Sequence, residues 1–129
     1  MKTAYTRLEE TFKRLHILGD AQGILHWDMS AMMPQGGAAS RAEQLAVLST
    51  IRHGLISDPA LADNLQEAEE NKNRLDDWQK ANLREMRRAH THATALDEEL
   101  VEALSRSTSK CEQVWREARK ENDFKKIVP

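Results

Sequence analysis

Apolar residues fall at helical intervals along almost the whole chain. Tyr5, Leu8, Phe12, Leu15 and Leu18, continued by Gln22 or Leu25, recur at three- and four-residue steps and predict a first helix over about 3–29. Gly19 and Gly23 lower its propensity without ending it. Trp27 and Asp28 close that helix, Pro34 forbids continuation, and Gly36-Gly37 allow a reversal. The plain reading of this stretch is a packed corner plugged by Trp27. Ser40 and Glu43 then have capping-box spacing ahead of Leu45, Leu48, Ile51 and Leu55, which predicts a second helix near 37–57.

Asp58-Pro59 reads as N-cap and first residue of a short third helix over 58–70, carrying Leu61 and Leu65. The polar run Glu69-Glu70-Asn71-Lys72-Asn73 reads as a loop. Asp76 and Gln79 repeat the capping-box spacing, and Leu75, Trp78, Asn82, Met86, Ala89 and Ala93 mark the inward face of a fourth helix over 75–94. Asp97 caps a fifth over 97–122, with the stripe Leu100, Leu104, Thr108, Cys111, Trp115 and Ala118. These two long, closely joined helices step near the coiled-coil repeat, so they are expected to pack as an antiparallel hairpin. The expected fold is all-α, about five helices in a bundle-like arrangement. Trp27, Leu45, Leu48, Trp78, Leu100, Leu104 and Trp115 should be among its most buried residues, and Trp27→Ala should cost about 3–5 kcal/mol.

Composition agrees with that class and narrows the function. The 129 residues suit a single domain or a piece of a larger one. Lys and Arg number 19 against 21 Asp and Glu, giving a formal charge of −2 with both signs interspersed, so bulk charge does not point to nucleic acid. The lone Cys111 excludes an internal disulfide framework, the first residues enter an amphipathic pattern without an apolar signal core, and a cytoplasmic protein is the default. No apolar run approaches the length of about 20 residues that a membrane-spanning helix requires.

Candidate chemistry is sparse. None of His16, His26, His53, His90 and His92 begins an H-E-x-x-H pair of imidazoles on one helical face. His90 and His92 stand two apart and point in nearly opposite directions. His16 and Asp20 have a usable spacing but no evident third ligand, which makes an ordinary surface or groove pair the better reading. Cys111, on an apolar stripe without a basic neighbour one turn away, reads as a buried inert thiol. Lys80, Arg84, Arg87 and Arg88 form a basic strip, read as a solvated, salt-bridged face because Asp76, Asp77 and Glu85 lie beside it. Met29, Met32 and Met33 read as gap filling at the turn. No residue is nominated as catalytic, cofactor-binding or metal-ligating.

The joint pattern at the turn is more specific. Trp27-Asp28, Met33-Pro34, Gly36-Gly37-Ala38 and Arg41-Ala42-Glu43-Gln44-Leu45-Ala46 resemble the N-terminal region of the thermostable carboxypeptidase (carboxypeptidase Taq) family of zinc metallopeptidases. His53 followed by Asp58-Pro59, Asn82-Leu83-Arg84-Glu85 with Arg87-Arg88, and Trp115-Arg116-Glu117-Ala118-Arg119 running into Asn122-Asp123-Phe124 continue the resemblance in order, from about Tyr5 to Pro129. Ala31 stands where the family often has Thr, and Asp97 where it often has Pro.

The resemblance implies a helical enzyme of several hundred residues, usually a homodimer, that removes C-terminal residues from peptides with zinc or another divalent metal. Its H-E-x-x-H site lies downstream of the matched region. On that account the 129-residue chain is the N-terminal helical part, a wall and lid of the substrate groove, inactive by itself and prone to self-association. The alternative is a stand-alone helical module that binds a protein partner through the Met-rich corner or the basic strip.

Overall fold

The computed structural model describes residues 2–128. Five helices carry the chain: α1 (Ala4–Ala31), α2 (Ala38–Ile56), α3 (Pro59–Glu70), α4 (Asp77–Ala93) and α5 (Glu98–Glu121). Short 3-10 turns at Gln35–Gly37, Lys72–Arg74 and Phe124–Lys126 join or follow them. The fold is all-α, with no strand among the described residues. Pro129, where the sequence resemblance ends, lies outside the described residues.

Local side-chain chemistry sets most of the helix starts. Thr3 accepts from the Thr6 amide at α1, Asp58 from Ala60 at α3 and Asp97 from Leu100 at α5. Each answers one of the amides that a helix N-terminus leaves without a partner. Asp76 and Gln79 form the reciprocal capping box expected at α4. α5 stops at Asn122 in the left-handed region (φ 55°), a conformation that asparagine tolerates better than most residues. The box expected at Ser40 and Glu43 does not form. α2 begins at Ala38, within one residue of its expected range and three residues before the start a Ser40 cap implies, with Gly37 at its N-cap and no side-chain cap, and Glu43 instead pairs with Arg106 of α5. Glu69 and Glu70 complete α3, as the expected 58–70 range has it, and the rest of the polar run, read as a loop, enters a short 3-10 turn at Lys72–Arg74.

α1 is the spine. Its N-terminal half packs against α3 and α4 around Ala4, Tyr5 and Leu8, which meet Leu61, Leu65 and Ala68 of α3 and Leu83 and Met86 of α4. Phe12, Ile56 and Leu75 close the edges of this core. Its C-terminal half lies antiparallel to α2, as the pairs Gln22–Ser49 and Asp28–Arg41 show. The stripe expected along α1 is thus the buried one.

The hairpin expected between α4 and α5 is not there. The long antiparallel pair is α1 with α2, and α5 leaves α4 at Thr94 to run antiparallel along α2, with Ser105 opposite Ser49 and Glu117 opposite Gln35. α5 meets α2 through small and polar side chains such as Ser105 and Ser109, the latter 3 % exposed, which let the two backbones approach. Its near-heptad stripe therefore faces outward from Leu100 to Trp115, with Leu100, Leu104, Cys111 and Trp115 all exposed, and only Ala118 at its end is buried. Trp27 and Trp78 are exposed as well, at 62 % and 80 %. Of the residues expected to be most enclosed, Leu45 is buried and Leu48 half-buried, while the three tryptophans, Leu100 and Leu104 are not.

Candidate functional site

The turn between α1 and α2 is tied by side chains from α2 and α5. α1 ends as the Met32 and Met33 amides both donate to the Asp28 carbonyl, at 2.9 and 2.8 Å. Pro34 then holds an extended backbone, and the chain re-enters a helix through Gln35–Gly37. Gly37 has an ordinary right-handed backbone (φ −83°), so its lack of a side chain serves closeness. A Cβ there would sit 3.3 Å from Met33 Cγ.

Two arginines lock this corner. Arg41 of α2 reaches α1, where Nη1 donates to the Leu25 carbonyl (2.6 Å) and Nη2 to the Asp28 carboxylate (2.7 Å), while Nε donates to Gln44 (2.9 Å). Arg116 of α5 donates to the Met29 carbonyl (2.7 Å) and the Ser30 hydroxyl (2.8 Å). Met29 is within the last turn of α1, where carbonyls lack intrahelical partners and the helix dipole favours a cation. Gln35 donates to Glu117 at 2.8 Å and completes the tie between the turn and α5. Trp27 takes no part in this lock: it projects from α1 into solvent, so the expected aromatic plug is corrected to a pair of arginine clamps. The Asp28–Arg41 pairing is legible as opposite charges flanking a turn, whereas Arg116 stands 87 residues from its carbonyl partner and has no local signal.

The other candidates separate. His16 and Asp20 form an exposed pair at 3.7 Å. The basic strip is salt-bridged as expected, with Lys80 on Asp77, and Arg84 and Arg88 on Glu85. Arg87 reaches α3 and grips both carboxylate oxygens of Glu69 at 2.8 and 2.7 Å, which holds Glu69 below the usual carboxylate range and raises Arg87. Cys111, expected to be buried, is exposed. Of the three methionines only Met29 is fully buried; Met33 is half-buried and Met32 exposed, so the gap-filling reading holds for part of the group.

The family profile described as Carboxypeptidase Taq (M32) metallopeptidase matches residues 7–129. The chain belongs to this family. It is 31 % identical over 130 residues to thermostable carboxypeptidase 1 of Thermus thermophilus, covering 99 % of this chain and 26 % of that protein. Trypanosoma cruzi metallocarboxypeptidase 1 superposes with a TM-score of 0.78 at 37 % identity, over 98 % of this chain and 25 % of that one. A Pyrococcus furiosus carboxypeptidase superposes with a TM-score of 0.73 at 25 % identity, over 100 % and 26 %. The M32 chain described here therefore spans about a quarter of the length of the relatives it matches.

A catalytic metal in an M32 peptidase needs several converging imidazole or carboxylate ligands. Among the described residues, no three His, Cys, Asp or Glu side chains come together in that way. His16 and Asp20 have no third partner, and His90 and His92 diverge along α4. These residues do not fit a metal.

Proposed function

We propose that this chain is the N-terminal helical part of an M32 carboxypeptidase that hydrolyses C-terminal residues from peptides. In this reading α1, α2 and α5 build wall and lid of the substrate groove, and the zinc and its ligands belong to residues outside these 129. The proposal includes a cytoplasmic enzyme, in keeping with a single exposed thiol, and a homodimeric assembly.

The observation that carries it is the apolar surface left without cover. The chain exposes 9184 Å², against about 6,900 Å² for a compact monomer of its mass. The excess includes Ile17, Ile24 and Trp27 along one face of α1, and Leu100, Leu104 and Trp115 along α5. Faces of this extent mark contact with further protein, and the quarter-length match states how much protein the relatives supply.

Reading the gene past the codon for Pro129, then assaying its entire product for metal-dependent release of C-terminal amino acids, tests the proposal. A downstream H-E-x-x-H with such release is the expected result. An immediate stop and no release would overturn it in favour of a stand-alone helical interaction module.

A further inference from the structure

A cavity of about 490 Å³ opens between α1, α2, α4 and the start of α5, away from the arginine-locked corner. Phe12 and Leu15 of α1, Ile56 of α2 and Val101 of α5 give it an apolar floor. Arg52 and His53 of α2 supply its polar end, and His16 and His92 reach it from α1 and α4. Three histidines far apart in sequence thus line one space, which no local spacing announces.

Arg52 is the unusual member. It is half-buried, and no carboxylate lies within 4 Å of it among the described residues. Its Nη1 donates to Gln22 Oε1 at 2.7 Å, and its buried Nε has no partner. Gln22, itself only 8 % exposed, is fixed from behind because its Nε2 donates to Ser49 Oγ at 2.9 Å, which turns the amide oxygen toward the guanidinium. The guanidinium lies beside Gly19 of α1, where a Cβ would stand 3.5 Å from Nη2, an ordinary van der Waals contact. The built arrangement holds a guanidinium in place with one neutral acceptor for its five donors. Partial burial of a cation without an anion is costly, and a planar carboxylate matches the unused donors. The one carboxylate on the cavity wall, Asp20, pairs with His16 instead.

We propose that this cavity binds a carboxylate carried on a small apolar body. The carboxylate engages Arg52, and the apolar part lies on Phe12, Leu15 and Ile56. Both a free N-acyl amino acid and the last residue of a peptide have this chemistry. The inference stands on the cavity alone and does not depend on the groove-wall reading.

The test is an NMR titration of the 129-residue chain with N-acetyl-leucine, with a tetrapeptide ending in leucine, and with the carboxamide of each. The expected result is movement of the Arg52 Nε–H and Gln22 side-chain amide signals, with an acid affinity at least about tenfold above the amide. Arg52→Gln should abolish that preference. Binding of N-acetyl-leucine assigns the site to free acids, and binding of the tetrapeptide alone assigns it to peptide ends. If neither acid binds at millimolar concentration, if acid and amide bind equally, or if Arg52→Gln keeps the preference, the proposal is overturned. Should Arg52→Gln fail to fold, the exposed Asp20→Asn decides: removing a rim anion should tighten the acid about twofold, and unchanged or weaker binding would overturn the site.

Discussion

Arg41 and Trp27 stand at the same corner and carry very different weight. The Arg41 side chain is mostly enclosed and answers the Leu25 carbonyl and the Asp28 carboxylate together. Arg41→Ala leaves Asp28 without its cation in a half-buried setting and is expected to cost about 2–4 kcal/mol. Trp27→Ala, on the open face of α1, is expected to cost under about 1 kcal/mol in this chain, where the sequence pattern alone implied a core value. Urea unfolding of both variants compares them directly. His90 adds a pH term. Burial, and then the Arg87 cation, hold its imidazole below the ordinary 6.5, so the unfolded chain takes up that proton first as the pH falls. Stability present above pH 6.5 is therefore lost as the pH descends through the lowered value. The urea midpoint should be higher at pH 7.5 than at pH 5, and His90→Gln should flatten part of the difference.

At the scale of elements, the helices follow from local chemistry, and one of them contains a correctable weakness. Gly23 sits inside α1 with nothing within 4 Å of where a Cβ would be. Gly23→Ala should raise stability by about 0.5–1 kcal/mol, read as a higher thermal midpoint, because alanine restrains the unfolded chain and has the better helix propensity. Caps at Asp58, Asp76 and Asp97 were legible because the accepting carboxylate, the donating amide and the first turn lie within four residues. The missing box at Ser40 shows the limit of that reading. The Gln35–Gly37 turn leads straight into α2 at Ala38, which puts Ser40 inside the helix and lets Glu43 reach Arg106 on another helix.

At the scale of the whole molecule, the described residues bring no metal-ligand cluster together and leave long apolar faces open. The purified 129-residue chain is expected neither to hold zinc stoichiometrically nor to release C-terminal residues from a peptide. Metal analysis and a peptide assay check this, and cleavage that copurifies with the chain and needs added metal would contradict it. The open stripe on α5 and the Ile17, Ile24 and Trp27 face of α1 should also drive the isolated chain to self-associate. Light scattering is expected to give more than one 14.7 kDa unit, and a monomer mass over a wide concentration range would exclude it.

The sequence by itself determined that the chain is helical, where its helices begin and end to within a few residues, and which face of α1 is buried. Those features depend on propensity, capping and a single apolar period, all read within a few turns of backbone. Tertiary structure decided which helices are neighbours and which apolar stripes are covered. On α5 the strongest periodic stripe, from Leu100 to Trp115, is the uncovered one, since periodicity identifies a face that would gain from burial without supplying the surface that buries it. The pairing of Arg116 with the end of α1, and the meeting of Arg52, Gln22 and three histidines around one cavity, arise from helices packed far apart in sequence. Such contacts are set by side-chain fit between elements, and no local pattern in the chain encodes them.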